Sequence, residues 1–378
     1  MGEHSRLCSV WLGSETGILK GVSLSHRQAF NFCSVNQLSR DQEVRVLAWS
    51  DPTQSELLLG LVDGSVRTFS LEKGVFTESR SLGDPVEGCF SGLEPLPGGG
   101  LLTCTESGTV RVWAETGTEP VTELSAGTSV CRMRRSPVDA QRVAAGGKEN
   151  GLKIFDLQNP ERPVFTAKNL RDDWLDLRRP HWVRDLAFLP DSQKVVTCTG
   201  YHQVHVFDPA TPQRRPVLEA EFGDLPLTAL SLVPDGSAVV VGNTQGQMAI
   251  LDLRKGRVRG ALKGLSGGVR GLQCHASRPL VASCGLDRFL RVHGLEDRTL
   301  QHKVYLKSRL NCLLLSSKDL LGGGGASGEG AELEEVKDEE DDVWDALEQV
   351  EEQPSKRKTT EEEMQTERKK KKKKGGGV

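Results

Sequence analysis

Apolar positions recur in seven similar segments along the chain. Each segment has a β-rich apolar run, a polar turn and a second run ending in Phe, Trp or Leu, as in LLTCTESGTVRVW from Leu101. Such paired runs predict two strands joined by a tight turn. In one register the turn residues are Gly17, Gly64, Gly108, Asn150, His202, Gly246 and Arg288, at steps of 47, 44, 42, 52, 44 and 42 residues. A period near 40 to 45 residues is typical of propeller blades, each of which needs neighbours on both sides.

A further apolar strand precedes six of the seven segments, as in VRVLAWSDP from Val44 and VRDLAFLPD from Val183. The first segment begins at the N-terminus and has no such strand, but LNCLLLSS from Leu310 follows the last one. If this strand pairs with the N-terminal segment, the ring closes with no unpaired sheet edge. The alternative is an extra edge strand. The sequence therefore predicts an all-β, seven-bladed β-propeller over residues 1–317 with closure between N- and C-terminal strands.

Residues 318–378 have the composition of a disordered, charged tail. A glycine-rich linker from Gly322 leads to residues 329–352, which hold thirteen acidic side chains and one lysine, and then to residues 353–378, which hold ten Lys or Arg and four Glu. Segments of this kind bury too little apolar area to fold alone. The other residues are close to neutral, so charge alone does not mark the propeller as a nucleic-acid binder.

Membrane, secretory and catalytic roles find little support in the sequence. No apolar run approaches 18 residues and the N-terminus is polar, so we expect no membrane span or secretion signal. No two of the nine cysteines form a C-x-x-C motif. We expect them to be reduced core residues of an intracellular protein, with a metal or disulfide role as the alternative. The string Gly264-Leu265-Ser266-Gly267-Gly268 resembles a nucleophile elbow but is predicted to join two strands. We expect no catalytic residue, metal, cofactor or small-molecule substrate.

The repeats resemble the WD-repeat family over residues 5 to 317. The position usually held by Trp-Asp reads Phe155-Asp156, Phe207-Asp208 and Leu251-Asp252, and the common Gly-His pair is absent. The segments RDDWLDLRRPHW and TCTGYHQV resemble, more specifically, a family of nucleolar WD-repeat factors of large-subunit ribosome assembly. The resemblance implies a WD40-type propeller that acts as a non-enzymatic scaffold in pre-rRNA processing, in the nucleus and nucleolus. It implies as partners the pre-60S particle with its ribosomal proteins and pre-rRNA, an AAA ATPase remodeller and the nuclear exosome RNA helicase.

Two other functions stay open. Leu251-Asp252-Leu253-Arg254 approximates the W-D-x-R sequence of substrate receptors for cullin-type ubiquitin ligases. A chromatin-peptide reader is the other alternative, since propellers commonly present binding loops on a rigid scaffold.

The 52-residue step contains a connection longer than a turn requires, AKNLRDDWLDLRRPHW. Its Trp and Arg residues are of the types enriched at binding hot spots, although the tryptophans could instead fold back onto the blade. Arginines also follow a valine at the start of three channel-lining strands, where they would gather at the channel mouth and suit an acidic peptide or RNA phosphate, unless they are chance surface arginines. The predicted partner- or RNA-binding face comprises Arg45, Lys148, Arg171, Asp172, Asp173, Trp174, Asp176, Arg178, Arg179, Trp182, Arg184, Tyr201, His202 and Arg270.

Two features of the tail predict function. Val343, Trp344, Leu347 and Val350 fall on one helical face within an acidic segment, and could form a partner helix on binding or remain disordered. Basic residues typical of nuclear or nucleolar targeting and of attraction to RNA follow, with a merely solubilising tail as the alternative. They are Lys356, Arg357, Lys358, Arg368, Lys369, Lys370, Lys371, Lys372, Lys373 and Lys374.

Overall fold

The computed structural model describes residues 2–33, 38–172 and 175–318, together with the backbone of a short segment, Glu332–Leu333. Asp173 and Trp174 of the predicted binding face lie outside the described residues, as do the predicted partner helix and the basic targeting residues of the tail.

The described residues form seven antiparallel sheets of four strands each, the seventh extended by a short parallel strand. In chain order the strands are β1 (Val10–Ser14), β2 (Leu19–Ser23), β3 (Gln28–Phe32), β4 (Val44–Trp49), β5 (Glu56–Leu61), β6 (Ser65–Ser70), β7 (Val75–Ser81), β8 (Phe90–Pro95), β9 (Leu101–Thr105), β10 (Thr109–Trp113), β11 (Pro120–Ser125), β12 (Val130–Arg135), β13 (Arg142–Gly147), β14 (Asn150–Asp156), β15 (Phe165–Thr166), β16 (Val183–Phe188), β17 (Val195–Thr199), β18 (Gln203–Phe207), β19 (Leu218–Glu221), β20 (Leu227–Leu232), β21 (Ala238–Asn243), β22 (Met248–Asp252), β23 (Arg257–Leu262), β24 (Val269–Cys274), β25 (Leu280–Gly285), β26 (Phe289–Gly294), β27 (Leu300–Tyr305), β28 (Leu310–Leu315) and β29 (Glu332–Leu333). Helix α1 (Gly2–Leu7) and two 3₁₀ turns, Arg40–Gln42 and Pro85–Glu87, complete the described elements.

These sheets are the blades of an all-β, seven-bladed propeller, as predicted. Blades 2 to 7 take four successive strands each, from β4 to β27, and blade 1 has the order β28-β1-β2-β3. The first strand of each blade, and β28 in blade 1, packs against its counterparts in both neighbouring blades and so lines the central channel. The six predicted channel strands begin at the residues read from the sequence.

The ring closes between the two ends of the propeller. Val10 of β1 pairs with Leu315 of β28, and Trp11 pairs with Leu314. The Trp49 indole Nε1 of blade 2 donates to the Leu315 carbonyl at 3.2 Å, which ties the closing strand to the next blade. The predicted strand closure is confirmed, and the alternative of an extra edge strand is wrong.

The apolar cores lie between blades, because a four-stranded sheet buries its faces only against its neighbours. Between blades 1 and 2, the fully buried Trp11 packs on Phe32 and Phe69 with ring centroids 5.3 and 5.5 Å away. Equivalent aliphatic clusters fill the other interfaces, as between blades 5 and 6. Packing between blades therefore holds the ring together.

Six of the seven predicted turn residues have the left-handed backbone that the register requires, among them Gly108 (φ 94) and His202 (φ 53). In blade 4 the left-handed residue is Glu149 (φ 51), one position before the predicted Asn150. Asn150 begins β14 instead, and its amide Nδ2 donates to the carbonyls of Ala126 and Thr128 at 3.1 and 2.9 Å. The buried Asn150 amide thus binds two carbonyls of the connection from β11 to β12, and the turn lies one residue earlier than predicted.

Candidate functional site: the cationic channel mouth

Every channel strand contains a β-bulge near one end. The ladder between β4 and β5, for example, pairs Val44 with Leu61 and then Val46 with Gly60, so that no residue of β5 lies opposite Arg45. A bulge leaves one residue unpaired and redirects its side chain. Around the ring the unpaired residues are Asn311, Arg45, Ser91, Cys131, Arg184, Thr228 and Arg270. The three arginines singled out from the sequence thus occupy equivalent bulges at the same end of the channel, which we call the channel mouth.

The bulge arginines influence one another electrostatically. Partial burial lowers the pKa of Arg270, and the like charges of Arg45 and Arg184 lower it further. Among the described residues no carboxylate forms an ion pair with Arg270. The charges of Glu43 and Glu15 act on Arg270 in the opposite direction. The structure therefore brings Arg45, Arg184 and Arg270 within electrostatic reach of one another.

Among the described residues, Arg45 is the one bulge arginine that pairs with carboxylates. Its guanidinium lies 3.0 Å from the Glu43 carboxylate and 3.4 Å from that of Glu106. Burial works to lower the pKa of Arg45, but the hydrogen bond to Glu43 and the charges of both carboxylates outweigh it and raise the pKa. These two ion pairs fix the direction of the Arg45 side chain and partly neutralise its positive charge.

Trp182 connects the mouth to the long connection, residues 167–182. The Arg184 guanidinium carbon and the Lys148 ammonium nitrogen lie 4.8 and 5.3 Å from its ring centroid. Its indole Nε1 lies 3.4 Å from the Cys131 sulfur, and a Cβ on Gly200 would come within 2.5 Å of the ring. Trp182 thus packs against blades 4 and 5, in line with the alternative that the tryptophans fold back onto the propeller. Its ring also contacts Lys148 and Arg184.

The described Asp, Lys and Arg residues of the long connection remain at the surface. Arg178 lies 3.7 Å from Glu149, and the Arg179 carbonyl accepts from the Asn169 amide at 2.5 Å. Leu175 and Leu177 are 55% and 59% exposed, an uncommon position for leucine. The other exposed predicted residues of this connection are Arg171, Asp172 and Asp176.

Tyr201 and His202 occupy the turn between β17 and β18, and both are half-buried. The Tyr201 and Gln203 amides share the Thr199 hydroxyl at 3.2 and 3.1 Å, which holds the turn. Tyr201 lines a pocket beneath the long connection.

One channel contact was not predicted from the sequence. The Asp185 carboxylate, 3% exposed as a residue, accepts the amides of Leu186 and Leu230 at 2.9 and 3.1 Å. Arg132 Nε of blade 4 lies 2.9 Å from the same carboxylate, with its N–H poorly aligned for a hydrogen bond. Asp185 thereby links blades 4, 5 and 6 around a channel cavity of about 230 Å³.

The remaining chemistry of the described part is that of a packed core. All nine cysteines are free thiols, and burial raises the pKa of Cys104 to about 12, which disfavours the reactive thiolate. Within residues 2–33, 38–172 and 175–318, no cluster of three His, Cys, Asp or Glu could hold a metal ion. No helix in those ranges is long and apolar enough to cross a membrane. Gly264-Leu265-Ser266-Gly267-Gly268 lies in the connection from β23 to β24.

Seven blades around a channel, closed by strand pairing between the first and last strands of the propeller, define a WD-repeat β-propeller, here with three arginines at the channel mouth. Comparison with known proteins gives the family. The chain is 56% identical over 315 residues to WD repeat-containing protein 74 of Bos taurus and to that of Homo sapiens, covering 82% of this chain and 81% of either relative. The chain belongs to the WD repeat-containing protein 74 family. It is also 26% identical over 244 residues to ribosome biogenesis protein nsa1 of Schizosaccharomyces pombe, covering 57% of this chain and 61% of the relative. No protein-family model matches the chain.

Proposed function

We propose that this protein is a non-enzymatic scaffold in ribosome biogenesis, which binds pre-60S particles in the nucleolus through the channel mouth. One observation carries the proposal: Arg45, Arg184 and Arg270 occupy equivalent bulges, the first and second act electrostatically on the third, and Arg184 and Arg270 have no ion pair among the described residues. Guanidinium groups recognise phosphate with directed hydrogen bonds, and pre-rRNA offers phosphate along its whole length.

The relatives support this assignment. Proteins named ribosome biogenesis protein NSA1 match the chain over half or more of its length in several fungi. A role in pre-rRNA processing as a platform fits a fold whose loops sit on a rigid ring. By resemblance to the family, its further partners are ribosomal proteins, an AAA ATPase remodeller that would release it from the particle, and the nuclear exosome RNA helicase.

The test is affinity purification of the tagged full chain, wild type and Arg184→Glu/Arg270→Glu. We expect the wild type to recover large-subunit precursor proteins and pre-rRNA, and the double variant to lose at least about tenfold of both, because each phosphate contact contributes to binding. The matched control is Arg162→Glu/Arg257→Glu, which reverses two exposed arginines away from the mouth. Equal recovery by both double variants would contradict the role of the mouth, and absence of precursor particles from the wild-type eluate would contradict the proposal itself.

The same eluates address the two alternative functions. Asp252 of the W-D-x-R-like segment accepts the backbone amides of Arg254 and Lys255 at 2.7 and 3.1 Å and pairs with Arg259 at 2.9 Å. Its carboxylate is therefore engaged in holding the turn from β22 to β23. Stoichiometric recovery of a cullin adaptor would favour the ligase receptor, and enrichment of histones would favour the chromatin reader.

A further inference from the structure

A second cavity lies between blades 4 and 5, apart from the channel. This interblade pocket has a volume of about 230 Å³ and is lined by strands β14, β17 and β18 and by the long connection. Leu152, Val183 and Phe207 form apolar walls, and Leu170 and Pro180 belong to the connection above them. At roughly 30 Å³ of liquid volume per water, the space fits one ring-sized group, below the range of drug-sized ligands.

Three buried polar atoms on residues that line this pocket have no hydrogen-bond partner among the described residues. One is His181 Nδ1, which lies 3.9 Å from the Glu149 carboxylate. The other two are the Thr197 hydroxyl oxygen and the His205 ring nitrogen Nε2, on side chains of residues 0% and 8% exposed. An unsatisfied buried polar group costs about 1–3 kcal/mol, so native proteins generally supply it with a partner. Both residues line the pocket, where a bound group could provide that partner.

The His205 ring is held edge-on to Phe207, with centroids 6.1 Å apart and planes at 85°. Burial lowers the pKa of His205 to about 4, so the ring is neutral near pH 7. A neutral imidazole offers one donor and one acceptor, and a hydroxyl offers both. The pocket floor can therefore bind a group that carries donors and acceptors side by side.

The charged side chains that line the pocket are cationic, and two carboxylates lie nearby: Glu149, 3.7 Å from Arg178, and Glu221, whose charge acts on His205. Apart from its two histidines, the charged residues that line it are Lys153, Lys168 and Arg178. Arg214 and Arg215 lie exposed at the same edge, where their Nε–H groups donate to the carbonyls of Thr166 and Asn169 at 2.7 and 3.2 Å. His181 of the pocket directly precedes Trp182, which joins this edge to Lys148 and Arg184 at the channel mouth.

We propose that the interblade pocket binds a single unstacked nucleobase of RNA. The flat faces of the base would pack on the apolar walls, its polar edge would bond to Thr197 and His205, and the flanking phosphates would lie against the lysines and arginines of the rim. This inference rests on the proposed function, in which the particle's RNA lies against the adjoining mouth. An aromatic protein side chain fits the cations less well, because it has a single polar tip and brings no charge of its own.

Gly151 offers a way to close the pocket without damaging the fold. It lines the pocket, has no left-handed backbone, and a Cβ built there would have its nearest atoms, in Ala167 and His181, at 3.9 Å. The variant Gly151→Leu therefore fills the space, and Gly151→Ala is the matched control that leaves most of it open.

The experiment uses the full chain and a fluorescent ten-nucleotide single-stranded RNA, in 0.4 M salt to suppress non-specific attraction to the lysine-rich tail. We expect wild type and Gly151→Ala to bind alike, Gly151→Leu to bind about tenfold more weakly, and an oligonucleotide of abasic nucleotides to bind all three equally weakly. Ultraviolet cross-linking should place the nucleotide on the peptide that contains Tyr201 and His205.

Equal affinity of the three proteins for the RNA would overturn the inference. So would a preference of the wild type, lost in Gly151→Leu, for an acidic tryptophan-containing peptide over the RNA, because the pocket would then be a peptide site. The proposed function fails separately: a wild-type chain that recovers no precursor particles yet binds RNA through the pocket would refute that function and leave this inference standing. Normal recovery of precursor particles, together with RNA binding that does not depend on the pocket, would refute this inference and leave the proposed function standing.

Discussion

Arg132 of blade 4 and Asp185 of blade 5 form a close ion pair inside the channel, with 2.9 Å between Nε and Oδ1. The Asp185 carboxylate also accepts the Leu230 amide of blade 6. One side chain thus joins three consecutive blades, in a propeller that lacks the common Gly-His pair of WD repeats.

Replacing Asp185 by Ala should lower the free energy of unfolding by about 2–4 kcal/mol, because it leaves the Arg132 charge and the Leu230 amide without an acceptor. Asp185→Asn keeps an acceptor oxygen and should cost less. Urea denaturation of both variants measures the difference. Equal losses would mean that the ion pair and the amide bond do not determine the effect of Asp185.

Gly108 turns the chain between β9 and β10 with φ 94, and a Cβ there would overlap the Gly127 carbonyl oxygen. Gly108→Ala should therefore destabilise the protein by about 3 kcal/mol, since it combines backbone strain with a steric clash. Gly98 has a similar φ of 92 with no heavy atom within 4 Å of its Cβ position, so Gly98→Ala carries the strain alone, about 1 kcal/mol. Thermal melts of the pair test whether the clash matters.

The sequence predicted the ring well because every blade repeats the same spacing of strands and turns and the same alternation of apolar residues. Val44, Val183 and Leu310 each begin the strand assigned to them. Side-chain directions were harder to predict. The bulges place Arg45, Arg184 and Arg270 in equivalent positions as the valine-arginine register suggested, whereas Arg132, one residue later in its strand, points to Asp185.

The interblade pocket was missed for a different reason. Thr197 and His205 alternate with apolar neighbours inside strands, so nothing in the sequence distinguishes them from ordinary core positions. Their unpaired state depends on which residues of blade 4 and the long connection face them, and a single sequence does not contain that information.

Lowering the pH should destabilise the protein partly through His205. Burial lowers its pKa from 6.5 to about 4, so between these values the unfolded chain binds a proton that the folded protein does not. Stability from this group is intact above about pH 6.5 and is lost as the pH falls through the window, by about 2 kcal/mol at pH 5. Urea midpoints at pH 7.5 and 5.0 should show a smaller loss for His205→Leu than for wild type. Because burial also lowers the His293 pKa, the difference between the two proteins is the diagnostic quantity, and identical losses would contradict the assignment to His205.

Removing the closing strand should abolish the native ring. A chain ending at Arg309 loses β28 and with it the partner of β1 and the acceptor for Trp49, whereas a chain ending at Lys318 keeps both. We expect a cooperative thermal transition from the longer chain only. Matching transitions from both would show that the other six blades close without β28.

The lysine run is predicted to direct the protein to the nucleolus. Lys369 to Lys374 replaced by Gln should lower nucleolar enrichment in fluorescence microscopy with no change in melting temperature, because the predicted propeller ends at residue 317. Replacing Glu361, Glu362 and Glu363 by Gln is the matched control and should leave localisation unchanged. Unaltered localisation of the lysine variant would contradict the targeting role.

The pairing of β1 with β28 also determines when blade 1 can form during translation. At about 5–20 residues per second, roughly 15 to 60 s separate the emergence of β1 from that of its partner, and throughout that time the exposed edge of the first blade has no strand beside it. The final sheet can assemble only after Leu315 has been translated. A nascent chain stalled before Leu310 should therefore depend on chaperones that shield strand edges, and release from them should follow the emergence of β28.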